Sequence, residues 1–172
     1  MINIKTSFCA IFCFVLQLNL FALNNNPSNK AMKNSESKLF YFGNALKNAK
    51  GISINNALTY NTTTGYGFDM NSASNATINS NTFSAVKPTY FSVKLPEGNY
   101  QIEVVMGSSE KPTNVTIKAE SRRLMLDQLS IQKGKPVTKI FNVNVRTPKI
   151  DDTQNVSLKD REKDILNWDD KL

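Results

Sequence analysis

Histidine is absent from all 172 residues. That removes the commonest general base, the commonest metal ligand and the usual partner of a catalytic Ser or Cys. Cysteine is almost absent as well. Cys9 and Cys13 both lie in the N-terminal apolar segment, so a chain that sheds this segment has neither thiol nor imidazole. Long apolar runs are missing too: the stretch Phe8 to Leu16 is followed by Gln17 and Asn19 and is too short to span a bilayer. No calcium-loop pattern surrounds Asp169 and Asp170, and adjacent strand residues point to opposite faces, so this carboxylate pair reads as a turn or domain junction. No metal and no cofactor are expected. Ser108 has no imidazole to activate it and is assigned to a turn.

What the chain does contain is alternation. Phe91, Val93 and Leu95 alternate with Ser92 and Lys94, and after Pro96-Glu97-Gly98-Asn99 the apolar set resumes at Tyr100, Ile102, Val104 and Met106. A two-residue period of this kind is a strand with one wet face. The pattern returns at Val115, Ile117 and Ala119, and again at Phe141, Val143 and Val145. Pro fixes φ and Gly accepts a positive φ, so Pro96 to Asn99 reads as a reversal, and the stretch 90–147 as a β-meander. Gly134-Lys135-Pro136 leads into a further strand, Val137 to Arg146. Short strands at roughly ten-residue spacing predict an all-β fold, an antiparallel β-sandwich. The stretch Lys118 to Leu129 also admits a helical period. The spacing of Leu124 and Leu126 favours a strand.

Ahead of that core the chain divides simply. Residues 1–22 read as a secretory signal peptide, with Lys5 as the positive end, Phe8 to Leu16 as the apolar region and Leu20-Phe21-Ala22 as the cleavage site. Residues 23–37, rich in Asn, Ser and Lys, are expected to form a flexible leader. The β-sandwich domain then spans residues 38–172. Within it Leu39 to Gly43 is the first strand, with Phe40 and Phe42 on one face, and Gly51 to Ile54 and Ala57 to Tyr60 are short strands. The polar stretch Asn71 to Asn81 reads as a loop. The sequons at Asn61, Asn75, Asn114 and Asn155 read as chance in an Asn-rich chain.

In order along the chain, Gly65-Tyr66-Gly67-Phe68-Asp69, Tyr90-Phe91-Ser92-Val93-Lys94-Leu95-Pro96-Glu97-Gly98-Asn99-Tyr100, Ala119 to Leu126, Phe141 to Pro148 and Leu166 to Leu172 form a set. Taken together this set resembles the N-terminal galactose-binding-like jelly roll of secreted bacterial rhamnogalacturonan acetylesterases. In that family the jelly roll precedes an SGNH hydrolase domain with a G-D-S nucleophile motif. The likeness runs from about Lys38 to Leu172. It implies an accessory domain of a pectin-acting carbohydrate esterase, secreted or periplasmic, whose SGNH catalytic domain is absent from this chain. It also implies that a strand beginning at Lys171-Leu172 is cut short, so that the last strand is missing. None of the family's catalytic residues carries over, and this chain alone is not expected to be catalytic. A free-standing secreted carbohydrate-binding module is the alternative.

Two clusters are candidate sites. Tyr66 can stack on a pyranose ring while Asp69 accepts its hydroxyls; alternatively Phe68 is core, Tyr66 packs at a sheet edge and Asp69 caps a turn. Arg122 and Arg123 can pair with galacturonate or with an acidic patch on an adjoining domain; alternatively they are exposed side chains flanking a strand. The chain carries 21 Lys and Arg against 14 Asp and Glu, a net charge of +7 that suits an anionic pectic polysaccharide. These cations are scattered rather than massed, which argues against nucleic acid as the partner. No membrane partner is expected once the signal peptide is removed.

Overall fold

The computed structural model describes residues 2–5, 21–22, 37–43, 50–79, 82–85, 87–120, 123–157, 159–160 and 171–172. The fold is all-β, with a short 3-10 turn at Ala73–Asn75. Twelve strands are described: β1 (Ile2–Lys5), β2 (Phe21–Ala22), β3 (Phe40–Phe42), β4 (Ile52–Ile54), β5 (Tyr66–Asp69), β6 (Ala76–Asn79), β7 (Thr82–Ala85), β8 (Thr89–Val93), β9 (Gly98–Met106), β10 (Thr113–Ala119), β11 (Arg123–Ile131) and β12 (Val137–Val145). They form a five-stranded sheet in the order β11-β10-β1-β8-β5, a three-stranded sheet β12-β9-β2, and the two-stranded pairs β3-β4 and β6-β7.

The alternating residues become the core. Tyr100, Ile102, Val104 and Met106 of β9 are buried, as are Val115, Ile117 and Ala119 of β10, Phe91 and Val93 of β8, and Val143 and Val145 of β12. Residues of all these strands belong to one hydrophobic cluster. An aromatic knot anchors it, with Phe42 and Phe91 ring centres 4.9 Å apart, Phe68 and Phe91 5.3 Å apart, and Phe40 and Phe91 5.5 Å apart, all near edge-to-face. The expected first strand is β3, and Phe40 and Phe42 both lie in the core. Ser108 sits at a turn, its hydroxyl accepting the backbone N–H of Glu110 at 3.1 Å.

The connectivity differs from a meander. The reversal at Pro96 to Asn99 carries the chain from β8 in the larger sheet to β9 in the smaller one, so these consecutive strands do not pair. β9 pairs instead with β12, antiparallel and without a slip from Val137 opposite Met106 to Val145 opposite Gly98. Alternation states which side chains are buried and is silent on which strand lies alongside. The turn itself is closed by Tyr100, whose hydroxyl donates to the Pro96 carbonyl at 2.7 Å.

Three further expectations are corrected. The stretch read as a polar loop contains the 3-10 turn and the strand β6, which pairs with β7. Ala76 and Ile78 keep the two-residue period there and pack against the core, and Phe83 and Ala85 of β7 are buried. β3 and β4 pair in parallel, not antiparallel. The segment 57–60 makes an isolated bridge from Thr59 to Phe68 in place of a strand. Backbone bonds between Tyr60 and Phe68 (2.8 Å) and between Phe68 and Leu58 (2.7 Å) cover the outer edge of β5. Gly67 makes this approach possible, because a Cβ there would stand 2.6 Å from backbone atoms of Tyr60 and the residue has φ +146°.

β11 is a strand throughout, so the helical period over Lys118 to Leu129 is overturned. Val115 faces Leu129 but Ile117 faces Leu126, which leaves an extra residue on β11; a second shift follows between Ile117 and Lys118. The extra residue is accommodated with Gln128 at φ 42°, its N–H donating to the Thr116 hydroxyl at 3.1 Å. A bulge therefore produces the three-residue step from Leu126 to Leu129. Leu124, expected to continue the buried face, is exposed.

Of the expected signal peptide, residues 2–5 and 21–22 are described as β1 and β2. The remainder, and the leader 23–36, lie outside the described residues.

Candidate functional site

The densest polar arrangement is built on β5, β8 and the described end of the chain. Asp69 closes β5, and the chain reverses at once through Met70 (φ 52°) and Asn71 (φ 55°) to Ser72, whose N–H returns to the Asp69 carbonyl at 3.0 Å. Two successive residues with positive φ make a tight turn whose twist matches paired strands. Ser72 is buried; its hydroxyl donates to the Asp69 carbonyl at 2.7 Å and accepts the Tyr90 N–H at 2.9 Å, which ties the turn to β8.

Both oxygens of the Asp69 carboxylate accept hydrogen bonds. One oxygen accepts the Met70 N–H at 2.8 Å. The other accepts the Lys171 ammonium at 2.8 Å and the Ser92 hydroxyl at 3.1 Å. Each side chain of the ion pair is 21% exposed, so the pair is only partly solvated. The Lys171 ammonium also stands 4.7 Å from the centre of the Tyr60 ring. Burial pushes the Asp69 carboxyl upward, but the hydrogen bonds from Lys171 and Met70, the Lys171 charge and the Ser92 hydroxyl together hold it below its ordinary value of 3.8. Chemically, this is a carboxylate held ionised and supplied with donors by its own chain. The arrangement pins Lys171 to β5 and β8, and Leu172 follows into the core with its N–H and carbonyl both bonded to Val93 at 2.8 Å.

Tyr66 lies at the other end of β5. Its ring packs against Phe40 with centres 5.3 Å apart at 61°, and it is half-buried against the core. Phe68 between them is 1% exposed. The two glycines of this motif have separate tasks: Gly65 turns the chain at φ 74° and Gly67 admits the Tyr60 backbone.

Arg122 lies outside the described residues. Arg123 opens β11, is exposed, and donates its backbone N–H to the Glu120 carbonyl at 2.7 Å, across a turn in which Glu120 has φ 39°. β11 and β5 are the opposite edges of the five-stranded sheet. With strands about 4.8 Å apart, Arg123 is separated from Tyr66 and Asp69 by roughly 19 Å of sheet. The two candidate clusters thus fall at separate places. Lys171, Ser92, Ser72 and Tyr60 were not singled out by sequence. Each is unremarkable locally, and only the pairing of chain-distant segments brings them to Asp69.

Among the described residues no three of His, Cys, Asp and Glu gather to hold a metal ion. Nor does any described helix have the length and apolar character to cross a membrane. No protein-family model, curated protein or solved structure matches the chain.

Proposed function

We propose that the chain is a non-catalytic accessory domain, a galactose-binding-like β-sandwich of jelly-roll type, from a secreted pectin-acting esterase of the rhamnogalacturonan acetylesterase kind. Its role is to support the SGNH catalytic domain, with polysaccharide as a secondary contact. The observation that carries this reading is the tie between the Gly65 to Asp69 motif and the last residues of the chain. Asp69 accepts from Lys171 and Ser92, and so joins three of the stretches on which the family resemblance rests. A carboxylate already supplied with donors by its own chain is better suited to tying distant segments together than to receiving a sugar hydroxyl. The half-buried Tyr66 ring, seated on Phe40, fits the same scaffolding role. The surplus of positive charge suits galacturonate-containing substrates as a long-range, salt-screened attraction.

The experiment is to mix the purified chain with the isolated SGNH catalytic domain of a rhamnogalacturonan acetylesterase and follow acetate release from acetylated rhamnogalacturonan during heating. The chain alone releases no acetate and extends the catalytic domain's half-life about twofold or more, since a partner that binds only the folded state stabilises it. No extension, together with retention of the chain on the polysaccharide that Tyr66→Ala abolishes, replaces this reading with a free-standing carbohydrate-binding module. Neither effect overturns both.

A further inference from the structure

Of the strands that bound the two larger sheets, three are poor templates for a further strand. β11 is broken by two register shifts, the outer side of β5 is covered by backbone bonds from residues 58–60, and β2 is two residues long. β12 differs. It runs for nine residues with an unbroken ladder to β9 on one side, and among the described residues no strand lies on its other side. It contains neither Pro nor Gly, and Ile140 near its centre is 57% exposed. An edge of this kind presents a row of backbone N–H and C=O groups to another chain.

We propose that β12 is a self-association edge, to which a second copy of this chain adds its own β12, antiparallel, about a twofold axis at Phe141. This is the register that sets all nine residues of one strand against all nine of the other. Val137 faces the partner's Val145, Thr138 the partner's Asn144, Lys139 the partner's Val143 and Ile140 the partner's Asn142, while the two Phe141 residues face each other. A twofold contact requires a surface complementary to itself, and the strand supplies one. Val137 and Phe141 pack against the core and are only half-buried, so the apposed copy extends the apolar layer over them. Thr138, Asn142 and Asn144 lie on the exposed face, where Thr138 and Asn144 meet as a polar pair. The two exposed Ile140 side chains become diagonal neighbours across the axis and cover each other. Lys139 is the one charge on the strand. Its counterpart lies four residues along the ladder, about 14 Å away at about 3.4 Å per residue, which is beyond the Debye length of roughly 8 to 10 Å. Its aliphatic stem lies along the partner's Val143 while the ammonium stays in water. The pairing rests on the residues of β12 and not on the esterase reading. A contact of one strand edge is small, so the dimer is a dissociable one, with a dissociation constant on the order of 10 μM.

The test is sedimentation velocity on the full chain under reducing conditions, which keep Cys9 and Cys13 from cross-linking copies. Between about 1 and about 200 μM the chain is expected to pass from monomer to dimer. Ile140→Lys sets two like charges on neighbouring diagonal positions and should weaken association about tenfold or more, whereas Ile140→Val should change it by less than about threefold. Leu124→Lys, on the edge strand β11 of the other sheet, should leave association unchanged. Sedimentation as a monomer at about 200 μM, a dimer that survives Ile140→Lys, or one weakened equally by Leu124→Lys overturns the proposal. Should Ile140→Lys fail to fold, hydrogen exchange on the native chain decides. The amides of residues 137–145 that do not bond to β9 gain protection about fivefold or more across the same concentration range, and those of residues 123–131 do not. Unaltered protection along β12 rejects the edge dimer.

Discussion

β9 and β12 pair over nine residues each without a slip, whereas β10 and β11 pair through a ladder that shifts twice. Both pairs are rich in alternating apolar residues, yet they differ in what lies behind them. In β9 every second residue from Tyr100 to Met106 is buried, and a one-residue slip would carry all of them to solvent. In β11 only Ile131 is buried, at the end of the strand, and β11 forms the edge of its sheet. A strand with little to lose by a shift tolerates bulges, and bulges in turn blunt an edge that would otherwise recruit another strand. The contrast pairs the regular ladder with a strand, β9, that buries one face throughout, and the shifted ladder with a strand, β11, that buries only its last residue.

The contrast should appear first in its largest effect. Ile102→Ala, at the centre of the regular ladder and 0% exposed, is expected to cost about 2 to 5 kcal/mol by chemical denaturation. A loss below 1 kcal/mol would show that the ladder is not where the fold is held. The polar tie at the other sheet edge comes next. Asp69→Asn removes a charge-assisted set of bonds and should cost about 1 to 3 kcal/mol near neutral pH. Because the folded-state Asp69 carboxyl lies below 3.8, its contribution is complete above that value and is lost as pH falls through the lower folded-state value. The gap between wild type and Asp69→Asn should therefore be constant from pH 7 to about 5 and close in acid; a gap that widens in acid contradicts the ion pair. Within the bulged hairpin the sign reverses. Gln128→Gly relieves a left-handed residue at φ 42° and should leave stability unchanged or raise it by up to about 1 kcal/mol in thermal melts. Leu124→Lys, exposed on the same strand, should shift stability by less than about 0.5 kcal/mol. A large loss there would mean that β11 is covered in solution.

Much of the fold could be read in advance because burial on one face writes itself as a two-residue period. That rule found Phe40 and Phe42, the buried face of β9, and Val115, Ile117 and Ala119. It failed where the period was short or broken. β6 and β7 keep it at Ala76 and Ile78 and at Phe83 and Ala85, but Asn and Ser between them resemble loop. β11 breaks it with a bulge that imitates a helical step. The candidate site was only partly legible. Gly65 to Asp69 was singled out as a candidate sugar-stacking rim, because two glycines beside two aromatics and a carboxylate can form one; in the fold Phe68 is core and the Tyr66 ring packs on Phe40. The identity of Asp69's donors was not legible, since Lys171 lies a hundred residues away in chain order and carries no local signal.

Sequence alone determined the class of this protein and the inward face of most of its strands, because side-chain polarity at alternate positions is a local property. It also ruled out imidazole chemistry, by composition. Tertiary structure decided which strands are neighbours, that β8 and β9 part into different sheets, that Asp69 closes on Lys171 rather than facing solvent, and that Leu172 and Ile2 lie in line along β8. These are relations between segments far apart in the chain. Pairing energy along a ladder is nearly independent of which apolar strand supplies it, so only the packing of the whole selects the partner.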